Sequence, residues 1–114
     1  MAITTRTVEG VTILDIKSRI LTGPGTAEIQ TTVRAALQNR DKKILLNMGV
    51  VNIIDSDCVG QLVASFVAAR NRGAALKLLN LTRSVNQVMN TTKLLTVFES
   101  FEDEATALQS FSES

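Results

Sequence analysis

Two mostly apolar runs constrain this chain more than anything else in it: Ile44-Leu45-Leu46, continued by Asn47-Met48, and Ala74 to Leu79, which only Lys77 interrupts. A strand with one face in water alternates apolar and polar residues, so runs without alternation call for cover on both faces. Between them, from Val59 to Ala68, apolar residues recur at helical spacing. A strand, a helix and a second strand in this order predict a right-handed crossover between parallel strands of one sheet.

The flanking segments repeat the theme. Ile3 to Val8 and Val11 to Ile16, joined at Glu9-Gly10, read as a hairpin that adds an antiparallel edge. Ser18 to Gly25 reads as a loop. Ala27, Ile29, Val33, Ala36 and Leu37 then mark a first helix that opens at Thr26 as N-cap and ends near Asn39. Val50 to Ile54 reads as a short apolar connection. The next helix is expected to bury Val59, Leu62, Val63 and Phe66, with Gly60, Ala64 and Ala68 as a small-residue ridge able to approach the sheet, and to stop at Asn71-Arg72-Gly73. A short helix from Thr82 or Ser84 to Thr91, an edge strand at Leu95-Thr96-Val97-Phe98 and a last helix from Glu102 to Phe111 complete the order. The expectation is an α/β fold: one domain over residues 1–114, a mostly parallel sheet of four to five strands with an antiparallel N-terminal edge, and about four helices.

Composition limits the chemistry. With 114 residues, 45% of them hydrophobic, there is room for one core, and a net charge of +1 supplies no field that would draw nucleic acid or a membrane surface. No apolar stretch has the length of a membrane span, and the N-terminus lacks a signal pattern, so a cytoplasmic location is expected. The single cysteine fits a reducing compartment, and without secretion Asn80-Leu81-Thr82 and Asn90-Thr91-Thr92 are chance matches to the glycosylation pattern. The absence of histidine removes Ser-His-Asp and Cys-His catalysis, and zinc lacks its ligands. No cofactor or metal is expected. Gly23-Pro24-Gly25 precedes a helix but lacks the Gly-Lys-Ser/Thr ending of a phosphate-cradling loop, and reads as a tight turn.

The candidate site is Asp55-Ser56-Asp57-Cys58-Val59-Gly60, where a strand feeds a helix. Such a junction gathers unpaired N–H groups and a positive dipole end, so negative charge is favoured there. Ser56 or Asp55 can cap the first turn, and Asp57 sits well against the dipole. Two carboxylates two residues apart are a weak magnesium signal. Cys58 occupies a place where thiol pKa values tend to fall, although a lone cysteine most often packs as a small hydrophobe. Phe98, Phe101 and Phe111 read as core.

The ordered set Leu46-Asn47-Met48, Ile53-Ile54-Asp55-Ser56, Val59-Gly60, Arg72 to Asn80, Lys93 to Phe98 and Asp103-Glu104-Ala105 resembles a STAS domain over nearly the whole chain. That family covers sulfate transporters and anti-sigma factor antagonists, and the stand-alone length points to the antagonists. The resemblance implies a non-enzymatic partner-switching protein that binds an anti-sigma factor, itself a serine kinase, and is released by phosphorylation. The implied partner-binding residues are Thr22, Gly23, Gly25, Asp55, Ser56, Asp57, Cys58 and Gly60. A homodimer remains open.

The match departs from the family at the switch. Phosphorylated members commonly read Asp-Ser-Ser-Gly-Leu-Gly, which aligns Asp57 with the phosphoserine and Cys58 with the first glycine. Aspartate carries about one negative charge against the −1.5 to −2 of a phosphoserine, so it would be a permanent, partial mimic. Ser56 is the remaining hydroxyl and the expected phosphorylation position. Asn47, where Leu-Asp-Leu is common, and Thr22 to Gly25, where many antagonists carry an acidic residue, also remove negative charge from the expected face. The alternatives are a scaffold of the same fold that is never phosphorylated and a small-ligand sensor using the Gly23 to Gly25 loop.

Overall fold

A computed structural model describes residues 3–112. In chain order the strands are β1 (Ile3–Val8), β2 (Val11–Ile16), β3 (Ile20–Leu21), β4 (Lys43–Asn47), β5 (Ile53–Ile54), β6 (Ala75–Leu79) and β7 (Ser100–Phe101). The helices are α1 (Ala27–Gln38), α2 (Ser56–Asn71), α3 (Arg83–Thr91) and α4 (Glu104–Ser112). Five strands form one sheet in the order β1-β2-β4-β6-β7, with β1 antiparallel to β2 and every other neighbour parallel. The α/β class, the mixed sheet and its antiparallel edge are as the sequence predicts.

The apolar runs occupy the sheet's centre because register stacks them: Leu14 pairs with Leu46, and Leu46 with Leu78. Period-two alternation then sends side chains to two cores. Leu14, Ile16, Ile44, Leu46, Leu76 and Leu78 meet α1, α2 and α3, whereas Val11, Ile13, Leu45 and Leu79 meet Ala107, Leu108 and Phe111 of α4. Lys77, opposite Leu45 in register, falls on the α4 side. It is buried, donates to Ser110 Oγ at 3.0 Å and lies 4.6 Å from the Phe111 ring centroid.

Three segments differ from the sequence reading. Leu95 to Phe98 is no edge strand: Leu94–Thr96 is a 3-10 turn entered from Lys93 in the left-handed region, and the edge strand is Ser100–Phe101. Leu94, Leu95 and Phe98 all pack on the larger core, so helical spacing outweighs the β-propensity of the run. Phe98 meets Phe66 edge to face at 5.0 Å.

The second difference is part of the buried face of α2, where Leu62 and Phe66 pack on the core as expected but Val63 and Gly60 do not. Its buried stripe is Cys58, Leu62, Ser65, Ala68 and Ala69, while Val63 is exposed and a Cβ on Gly60 would meet open space. The residues that bring α2 close to the sheet are therefore Ser65, Ala68 and Ala69 rather than a ridge from Gly60. Thirdly, the Ser18 to Gly25 loop and the Val50 to Ile54 connection each contain a two-residue strand, and β3 and β5 pair in parallel as a separate small sheet.

The helix ends follow local chemistry. Thr26 stands at the start of α1 after a 3-10 turn, Pro24–Thr26, but its hydroxyl donates to Gly23 O at 2.7 Å instead of capping. Thr82 precedes α3 and donates to Val51 O at 2.6 Å, tying that helix to the connection after β4. Gly73, at φ 69°, makes the left-handed stop expected after α2. Asp103 caps α4 through the Thr106 N–H at 2.9 Å.

Candidate partner-binding site

The small sheet of β3 and β5 leads straight into α2. Its pairing sets Ile20 opposite Ile53 and Leu21 opposite Ile54. Alternation buries Leu21 in the core and turns Ile20 and Ile53 outward, 58% and 52% exposed. Two large apolar side chains side by side in water form a surface that a binding partner would cover.

Asp55 follows β5 in an extended conformation and caps α2: its Oδ1 accepts the Cys58 N–H at 3.0 Å. Its Oδ2 accepts the Gly23 N–H at 2.9 Å. One carboxylate thus closes the helix's first turn and holds the Gly23 loop against it. Gly23, at φ 72°, supplies a backbone conformation that other residues adopt only with strain. The Cys58 and Gly23 N–H groups together hold the Asp55 carboxyl below the usual carboxylate range.

With Asp55 engaged, Ser56 and Asp57 occupy the first two helical positions and are exposed; Thr22, Pro24, Gly25 and Gly60 are exposed as well. The structure therefore brings the loop and the junction to one place. Cys58 is the exception among the expected residues, because its side chain lies fully in the core. Burial, reinforced by the Asp55 charge, pushes its thiol up to about 12. The depression expected at a helix start is lost because the side chain points away from solvent.

Asn47 has a structural reason that the sequence did not reveal. At the C-terminal end of β4 its Nδ2 donates to Asp15 Oδ1 at 2.8 Å, and its Oδ1 accepts the Gly49 N–H at 3.0 Å. Asp15 also binds Arg6, whose guanidinium reaches Glu104. An aspartate at position 47 would set two carboxylates in contact.

The residues that sequence reasoning missed are Ile20 and Ile53. Their signal was present as β-branched residues two positions before Thr22 and Asp55, but each stands in a segment too short for a periodicity to register. Beside the loop, Ser18, Ile20, Leu21, Thr22, Gly25 and Thr26 line a cavity of about 170 Å³. Among the described residues no helix is long and apolar enough to cross a membrane, and no three His, Cys, Asp or Glu side chains gather where a metal could sit.

Solved structures share this fold. The chain superposes on an anti-sigma-factor antagonist (STAS) domain protein from Planctomyces limnophilus with a TM-score of 0.82, 18% identity and coverage of 95% of both chains. It matches the Bacillus cell fate determinant SpoIIAA in its phosphorylated form with a TM-score of 0.69, 15% identity and coverage of 92% of this chain and 96% of the other. It also matches a sulfate transporter family protein from Wolinella succinogenes, with a TM-score of 0.78, 18% identity and coverage of 91% and 86%. At these identities the likeness shows the fold alone. No curated protein sequence matches the chain. The STAS domain model matches residues 2–107, and the chain belongs to the STAS domain family.

Proposed function

We propose that this protein is an anti-sigma factor antagonist that binds an anti-sigma factor through the β3–β5 surface, the Thr22 to Gly25 loop and the start of α2, and that it performs no catalysis itself. The observation that carries this reading is the double acceptance by Asp55. It fixes the loop and the helix start as one rigid surface, with Ser56 and Asp57 presented beside exposed Ile20 and Ile53. An apolar pair with a negatively charged border suits a partner with an apolar ridge flanked by basic residues.

Regulation acts at Ser56 if the partner is a serine kinase. A phosphate there would meet the positive end of α2, which favours it, and the carboxylates of Asp55 and Asp57, which oppose it. The helix would tolerate the group while the charge of the binding face would roughly double. Asp57 supports a second reading, a scaffold with constant charge that is never modified. The sensor reading draws least support, because about 170 Å³ beside the loop falls below the roughly 300 Å³ at which small-molecule pockets begin.

Incubation with the kinase and ATP, followed by intact mass measurement, separates the first two readings. One added phosphate that Ser56→Ala abolishes supports the switch. Binding with no added phosphate on wild type or on Asp57→Ser supports the scaffold.

A further inference from the structure

At the far ends of α1 and α2 from Asp55, the two helices leave an open groove of about 490 Å³ between them. Its floor is Leu37, Ala64, Val67 and Ala68, and its rim carries Arg34 and Arg72. Val67 is 48% exposed, a large apolar side chain left in water. Ala64 and the edge of the largely buried Ala68 are small, which keeps this side of the groove low enough for a third helix to settle closely.

The charge around the groove is one-sided. Arg34 and Arg72 line it, and the turn that follows α1 adds Arg40 and Lys42. The turns that carry them lie together, since the Lys42 ammonium donates to the Arg72 carbonyl. The one acid within these stretches, Asp41, is already engaged by the Thr12 hydroxyl at 2.8 Å. Among the described residues neither Arg34 nor Arg72 forms an ion pair; the pairs present are those of Arg6 and Lys77. Both helices also end here, and their C-terminal carbonyls would repel an anion, so the arginines are what make this end attractive to one.

We infer that the α1–α2 groove docks an acidic amphipathic helix of a partner protein, whose apolar stripe covers Leu37, Ala64, Val67 and Ala68 while its carboxylates pair with Arg34 and Arg72. A helix fits better than a lipid surface because the apolar lining lies in a groove between two helices, which a convex apolar ridge can enter and a flat surface would bridge. This surface is separate from the Asp55 face and stands whether or not the proposed antagonist function does.

The probe is a synthetic helical peptide of about 15 residues, Ala-rich, with Leu at i, i+3, i+4 and i+7 and Glu on both flanks, titrated against the full chain by fluorescence anisotropy. The acidic peptide is expected to bind with an affinity that falls as salt rises, and a copy with Lys in place of Glu is not. The double variant Arg34→Glu, Arg72→Glu should lose at least about tenfold in affinity for the acidic peptide and gain affinity for the Lys copy. Both side chains are exposed, so the double variant should stay folded, its melting temperature lowered only slightly by the two acids near the helix ends. Equal binding of the two peptides, or none, overturns the inference. So does binding to phosphatidylglycerol vesicles that needs both arginines while the acidic peptide is ignored, which would assign the groove to lipid. A dimer in sedimentation that the double variant abolishes, without peptide binding, would assign it to a second copy of the chain and also overturn it.

Discussion

Gly23 and Asp55 are 32 positions apart in sequence, yet the Gly23 N–H donates to Asp55 Oδ2 at 2.9 Å, which ties the loop before α1 to the start of α2. The other oxygen of the same carboxylate accepts the Cys58 N–H. Both partners of Asp55 are backbone donors, which makes the arrangement insensitive to which side chains decorate the loop.

That geometry separates Asp55→Asn from an ordinary cap substitution. Asparagine caps a helix about as well as aspartate, but it has a single acceptor oxygen for two N–H donors. We expect α2 to keep its cap while the Gly23 amide loses protection, visible as faster hydrogen exchange at Gly23 with little change at Cys58. Asp55→Ala should release both amides and lower the melting temperature further. Unchanged exchange at Gly23 in Asp55→Asn would contradict the coupling.

Ser65 should be better replaced. Its hydroxyl is fully buried in α2 against the sheet, and among the described residues it finds no hydrogen-bond partner. Removing an unsatisfied buried group recovers its desolvation penalty, and alanine favours the helix, so Ser65→Ala should stabilise the fold by about 1 kcal/mol. Denaturant unfolding gives the answer directly, and a loss of stability would mean that the hydroxyl has a partner.

Stability should fall at both ends of the pH scale for different reasons. Asp55 and Asp103 are held below the usual carboxylate range by N–H donors. Burial raises Asp15, but the Arg6 and Asn47 hydrogen bonds outweigh it and leave its carboxyl lowered too. The unfolded chain therefore takes up protons first, and stability is lost as pH falls below about 4, the range of free carboxylates. Cys58 works in the opposite sense: its thiol stays protonated to about 12 when folded against 9.0 ordinarily, so stability is lost as pH rises between these values. Urea midpoints across pH should show both limbs, and Cys58→Ala should remove its share of the alkaline one.

Much of the fold could be read from the chain because its strongest signals are local. Ile44 to Leu46 and Leu76 to Leu79 admit little besides central strands, and Gly73 marks a helix stop by itself. Elsewhere two local signals competed. Leu94, Leu95 and Phe98 carry β-propensity and helical spacing together, and only contact with the core shows that spacing wins. On α2 the spacing places Leu62 and Phe66 on the core correctly, but Val63 is exposed and Ser65 buried, because only a small residue fits where the helix meets the sheet. At the site, Asp55, Ser56 and Asp57 could be placed at a helix start from residue type alone. The exposed pairing of Ile20 with Ile53 and the Gly23–Asp55 bond could not, since each joins segments more than thirty positions apart.

The central claim is that the surface around Ile53 and Asp55 receives an anti-sigma factor. Calorimetric titration of the protein with the anti-sigma kinase of its own organism, in the presence of ADP, tests it most directly. The account predicts a one-to-one complex for wild type and at least about tenfold weaker binding for Ile53→Asp, with an unchanged melting temperature because Ile53 is exposed. No complex with wild type, or a complex of equal affinity with Ile53→Asp, would contradict it.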